Sequence, residues 1–276
     1  MNTENIIIFT IARMNPPTIG HISLIKHMIE IAIKNNVSQI NIILSSTVDS
    51  EKNPIECEEK RRILYNSALN KAKQMLIEEM PENNIQINNI NIEIICLNDE
   101  ETNSITNFYS KSPVISKIKY ILYKLYGFPR KDLKMILVIG KDRENDFDFL
   151  KKTLENLEYP VGFDTDVVYR TDESISATKI RNLALTRKPE DETSFIQHMN
   201  SIGLDNEESK DLIKQIRDNI DENFSNKKMR RKGGKSIRIY KKTKRNKKNK
   251  TKKYKTKKMK KNKTKKYKTK KYKTKG

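Results

Sequence analysis

IIIFTIARMNPPTIGHISLIKHMIEIAIK, residues 6–34, joins two periodicities. Ile6–Ala12 is a short apolar run rich in β-branched residues, the pattern of a strand buried on both faces. After it, Ile22, Ile25, Ile29 and Ala32 recur at spacings of three and four, which predicts a helix with one apolar face. Between the two lies RMNPPTIGH, residues 13–21. Pro16 and Pro17 restrict the backbone and remove two N–H donors. Gly20 lets a ligand come close to the main chain. Thr18 and His21 are three apart and share a face of the first helical turn. The unpaired N–H groups and dipole of a helix start favour an anion. The stretch therefore reads as a phosphate site with a hydroxyl and an imidazole as donors.

Working outward, further strand-like runs fall at Gln39–Ser46, Ile92–Leu97, Lys134–Gly140 and Asp164–Tyr169. Helical patterns separate them. One is opened by Asn53-Pro54, with Asn as cap and Pro at the first position, and runs toward Leu76. Others cover Ile115–Leu125, Asp146–Leu157 and Leu183–Phe224. Strands alternating with helices predict an α/β fold, a Rossmann-like doubly wound parallel sheet of about five strands. The expected organisation is a Rossmann-like domain at 1–186, a helical C-terminal segment at 187–226 packed on it, and a tail at 227–276.

That tail dominates the charge. The 276 residues carry a formal +22, but 29 of the 57 basic side chains lie in 227–276, which has no Asp or Glu. The other 226 residues hold 28 basic and 35 acidic side chains, a net of −7. The hexapeptide KKYKTK occurs at 252–257, 265–270 and 270–275. Such a segment has no apolar face to bury and is expected to be disordered. Its lysines would bind nucleic acid or another polyanion without reading sequence, and Tyr240, Tyr254, Tyr267 and Tyr272 could stack on unpaired bases. No apolar run reaches the roughly 20 residues that span a bilayer, so no membrane is expected. Cys57 and Cys96 imply neither a disulfide framework nor a metal site. An intracellular, reducing location is the expectation, not secretion.

A second segment answers the first. Ser174-Ile175-Ser176-Ala177-Thr178-Lys179-Ile180-Arg181 follows the last predicted strand. Its hydroxyls cap a helix, yet Lys179 and Arg181 sit in the first turns, where cations do not help the helix. A bound anion accounts for them. The pair Thr18-Ile19-Gly20-His21 and Ile175–Arg181 resembles the (H/T)xGH and ISSTxIR motifs of the nucleotidyltransferase superfamily. That group includes cytidylyltransferases and nicotinamide mononucleotide (NMN) adenylyltransferases. Asp49-Ser50-Glu51-Lys52-Asn53-Pro54 and Val138-Ile139-Gly140-Lys141-Asp142-Arg143 look like its phage and large-DNA-virus branch. The resemblance spans roughly residues 6–186.

The resemblance implies transfer of a nucleoside monophosphate, AMP from ATP rather than CMP from CTP, onto a phosphate-bearing small acceptor such as NMN, with release of pyrophosphate. The acceptor is already an anion, so no general base is needed, and catalysis rests on positioning and charge neutralisation. By motif position, His21, Thr18 and Arg181 are the catalytic candidates. Ile11, Gly20, Asp142, Ser176 and Thr178 would hold the nucleotide. Arg13, Lys52 and Asn53 would face the acceptor. Mg²⁺ is implied, held mainly by the nucleotide, with no protein metal ligands. The chain departs from the pattern in Thr18 at the first motif position, in Ala177 for a second Ser, and in having no Trp. A nicotinamide ring would then stack on Tyr or Phe, with Phe108 or Tyr109 as candidates. Two other readings stand beside this one: a cytidylyltransferase, and a catalytically degenerate nucleotide-binding fold serving a large DNA virus as a nucleic-acid-binding or packaging protein, in the host cytoplasm or nucleus.

Overall fold

The computed structural model describes residues 5–48, 52–96, 113–128, 132–157, 159–169 and 175–221. The candidates Phe108 and Tyr109, the motif residues 49–51 and 174, and the basic segment 227–276 lie outside them. Every described residue falls within one unit, Met1–Asp221.

Five parallel strands form one sheet in the order β3-β2-β1-β4-β5. They are β1 (Ile6–Ala12), β2 (Gln39–Leu44), β3 (Asn91–Cys96), β4 (Lys134–Gly140) and β5 (Gly162–Val168). α1 (Ile19–Lys34) crosses from β1 to β2. α2 (Cys57–Ile63) continues through a π-helical turn, Leu64–Ala68, into α3 (Leu69–Glu79), and α4 (Asn84–Asn89) leads to β3. α5 (Pro113–Tyr120) precedes β4, and α6 (Asp148–Glu155) connects β4 to β5. α7 (Ala177–Thr186), α8 (Pro189–Ser201) and a helix over residues 206–221, α9, complete the unit.

Alternate strand residues bury on opposite faces, as the period of two requires. Ile8, Ile40, Ile42 and Ile136 pack with Ile22, Ile25 and Ile29 of α1 and Leu76 of α3. Ile7, Phe9, Ile43 and Leu137 pack with Ile118 of α5 and Leu150 and Leu154 of α6. Both faces of the central strands β1 and β4 are covered, which is why these two read as nearly unbroken apolar runs, whereas the edge strand β5 is exposed or half-buried along its length. Phe195, Met199 and Ile216 join the α1 face, so α8 and α9 close that core layer.

All five expected strands match within two residues at each end, and β1 and β4 match at both. One helix start does not. Asn53 caps no helix: α2 begins at Cys57, with Glu56 as its cap residue. The Asn53 side chain is instead turned inward, 2 % exposed. The expectation for the cysteines is overturned as well. Cys57 and Cys96 form a disulfide, with Cα atoms 6.0 Å apart. The parallel topology brings the start of α2 beside the end of β3, a proximity that their separation of 39 residues does not reveal.

Candidate active site

The strand order reverses direction between β1 and β4, since the chain winds from β1 toward β3 on one side and from β4 toward β5 on the other. Loops leaving such neighbours part and leave a crevice beyond their carboxyl ends. Here the crevice is a cleft of about 460 Å³. The loop after β1 supplies Arg13, Asn15 and Thr18, and the first turns of α1 supply Gly20 and His21. The loop after β4 supplies Gly140, Asp142, Arg143 and Asp146. Tyr169 follows β5, and Ser176, Thr178 and Arg181 come from the start of α7. Ile11 and Lys52 also line it. Among the described residues expected at the site from sequence, only Asn53 does not.

Thr18 is the cap residue of α1. Its backbone N–H donates to His21 Nδ1 at 3.1 Å, and its hydroxyl lies 2.9 Å from the same nitrogen. This is a capping box with imidazole in the place usual for Glu or Gln. A backbone N–H can only donate, so Nδ1 is the acceptor, and the hydrogen-bond network assigns the ring proton to Nε2. The Thr18 hydroxyl thus faces the imidazole, and Thr18 is 3 % exposed. In this arrangement it orients His21.

The turn before Thr18 is tightly built. Met14 has φ 45°, a left-handed conformation unusual for a side chain of its size. It is retained because the Met14 side chain is fully buried in the α1-side core. The Asn15–Pro16 peptide is cis.

At the other motif, Ser176 caps α7 and accepts from the Lys179 N–H at 3.3 Å. Arg181, 7 % exposed, donates to the Asn15 carbonyl at 2.5 Å and to the Thr178 hydroxyl at 3.1 Å. It therefore braces the two motifs against each other across 166 residues of chain. Arg143 does the same for the sheet ends. It donates to the Ile11 carbonyl at 3.0 Å and to Asp146 at 3.1 Å, and its guanidinium lies 4.7 Å from the Phe147 ring centre. Gly140 leaves room for Asp142, because a Cβ there would stand 2.8 Å from Asp142 Oδ1.

Four basic side chains, Arg13, Lys52, Arg143 and Arg181, line the cleft against two carboxylates, Asp142 and Asp146. Arg13 is exposed and has no hydrogen-bond or ion-pair partner among the described residues. With two helix starts opening on the same space, the electrostatics favour an anion.

Arg143, Asp146 and Tyr169 belong to the cleft although sequence reasoning gave them no site role. Arg143 had a signal, its place directly after a strand's carboxyl end. Tyr169 had the same signal at β5. It is 70 % exposed, and the Lys141 ammonium lies 5.5 Å from its ring centre. No helix among the described residues is long and apolar enough to cross a membrane. No family model, no curated protein and no solved structure matches this chain.

Proposed function

We propose that this chain is a nucleotidyltransferase of the (H/T)xGH superfamily. It would move a nucleoside monophosphate, AMP from ATP, onto a phosphate-bearing small acceptor, with a mononucleotide such as NMN as the leading candidate. One observation carries the reading. Thr18–His21, Gly140–Arg143 and Ser176–Arg181, far apart in sequence, converge on one basic cleft at the reversal point of the sheet. Phosphate ligands bind at such points.

In the proposed reaction an acceptor phosphate oxygen attacks the α-phosphorus, the bond to the β-phosphate oxygen breaks, and pyrophosphate leaves. His21 Nε2–H donates to the α-phosphate as charge builds there. The N–H groups at the start of α7, with the Ser176 and Thr178 hydroxyls, hold the leaving phosphates. Arg13 and Lys52 face the acceptor phosphate. Asp142 accepts from ribose hydroxyls. Among the described residues no group of three or more His, Cys, Asp or Glu side chains could hold a metal alone. The hydroxyls and carboxylates of the cleft are hard oxygen donors that fit Mg²⁺ arriving on the triphosphate. When bound, it neutralises charge on the phosphate oxygens.

The test is pyrophosphate release by the full chain with ATP or CTP and Mg²⁺ against NMN, nicotinate mononucleotide, phosphopantetheine, glycerol phosphate and choline phosphate. Release that needs one acceptor and is lost in His21→Ala supports the reading. Absence of nucleotide binding by the native chain overturns it. We also propose that segment 227–276 binds nucleic acid or other polyanions through its charge.

A further inference from the structure

Lys60 is a buried cation that the proposed reaction does not use. It lies on α2 with no exposed surface, and no carboxylate among the described residues is within ion-pair distance of its ammonium. Burial without a counter-charge pushes its pKa down to about 8. On packing grounds alone Met or Leu would serve at less cost.

What the ammonium holds accounts for a lysine at this place. It donates to the Ser45 carbonyl, just past β2, and to Asn53 Oδ1 at 3.4 Å. Asn53 donates to the Ser45 hydroxyl at 3.2 Å and to the Thr47 carbonyl, which ties the loop after β2 together. The same Asn53 Oδ1 accepts from Asn15 Nδ2. Asn15 also clasps Ile55, donating to its carbonyl at 3.0 Å and accepting from its N–H at 3.2 Å. The Asn15 carbonyl in turn takes the Arg181 guanidinium, which holds Thr178. A path of hydrogen bonds thus runs from α2 through Asn15, which lines the cleft, to the start of α7.

The geometry points to Lys60 as a positioning residue that sets Arg181 and Thr178 for a nucleoside triphosphate, acting through Asn53 and Asn15. This rests on the cleft being a nucleotide site. Lys60 does not itself line the cleft. Its charged donor fixes the carbonyl of Asn53, which fixes Asn15 and so the anchor of Arg181.

The experiment compares binding of Mg²⁺ with α,β-methylene-ATP, and of AMP, to the full-length native chain, Lys60→Met and Lys60→Arg. Lys60→Met is expected to lose roughly tenfold in triphosphate affinity, as for a displaced charged donor, while AMP affinity stays within about twofold. Lys60→Arg, which keeps the charge, is expected within about threefold of native for both. In a double-mutant cycle with Arg181→Lys, the joint loss should fall short of the product of the single losses, because both act through one anchor. Equal losses for AMP and triphosphate, no loss, or multiplicative losses would overturn the assignment. Should Lys60→Met not fold, Asn53→Ser cuts the same path and is read by the same criteria. Amide hydrogen exchange of residues 13–18 and 176–181 gives a nucleotide-free readout. Faster exchange at both segments in Lys60→Met supports the path, and unchanged exchange overturns it. Failure of the native chain to bind nucleotide would sink the proposed function, and the exchange result would still decide the role of Lys60.

Discussion

At the scale of single residues, His21 has two tasks on its two nitrogens. Nδ1 caps the Thr18 N–H, and in the proposed reaction the proton on Nε2 is the one offered to a phosphate. The two tasks separate in experiment. His21→Ala is expected to lower turnover by on the order of 10²–10³, as for one lost transition-state donor. It should also lower stability by about 1 kcal/mol through the lost cap. Turnover and denaturant unfolding on the same variant check both, and near-native turnover in a folded variant rejects the assigned role. The three-residue spacing of Thr18 and His21 was legible, because helical periodicity is local. The tautomer was not, because it depends on which N–H meets which nitrogen once the turn closes.

At the scale of elements, α1 is tied to β5 by a charged contact outside the cleft. His27 Nδ1 lies 3.0 Å from Glu30 and Nε2 lies 2.9 Å from Asp166. Only the imidazolium carries protons on both nitrogens to satisfy both carboxylates. Burial alone would lower the His27 pKa, but the Asp166 and Glu30 hydrogen bonds and charges outweigh it and raise it above its ordinary value. A raised folded-state pKa contributes stability that is complete below the ordinary value and lost as pH rises through the folded one. The native chain is therefore expected to exceed His27→Gln by about 0.5–1 kcal/mol at about pH 6, a small figure because the pair is partly exposed, and by nothing near pH 9. Urea unfolding at both pH values checks this, and a gap that widens with pH contradicts it. The disulfide joins two other elements. Opening the Cys57–Cys96 loop should cost roughly 2–4 kcal/mol and lower Tm by several degrees in excess reductant. Thiol titration checks the premise, since two reactive thiols in the unfolded, unreduced chain would refute the bond. The spacing of the cysteines was visible in the sequence. That the start of α2 abuts the end of β3 was not.

At the scale of the whole molecule, α9 ties the segment before α2 to the end of α7. Asn219 donates to the Pro54 carbonyl at 2.7 Å, and Arg217 donates to the Ala184 carbonyl at 2.6 Å near the end of α7. The basic segment lies beyond this unit, and its charge is opposite in sign to the net charge of the rest of the chain. Removing residues 227–276 is expected to leave turnover on small substrates within about twofold and to abolish DNA binding whose affinity falls steeply with salt. Tight DNA binding by the shortened chain in a filter or anisotropy assay would refute this division. Periods of two and of three to four, proline and glycine placement, and the charge break near residue 227 are properties of neighbouring residues. They determined the strands, the helices, the parallel α/β class and the motifs at strand ends before any coordinates. Only the tertiary structure decided that Asn53 turns to the interior, that Lys60 bonds Asn53 and the end of β2, that Arg181 braces Asn15, and that the two cysteines are bonded. Each of these is a choice of partner across distant stretches of chain, and hydrogen-bond and disulfide partners are set by proximity in space, on which local periodicity is silent.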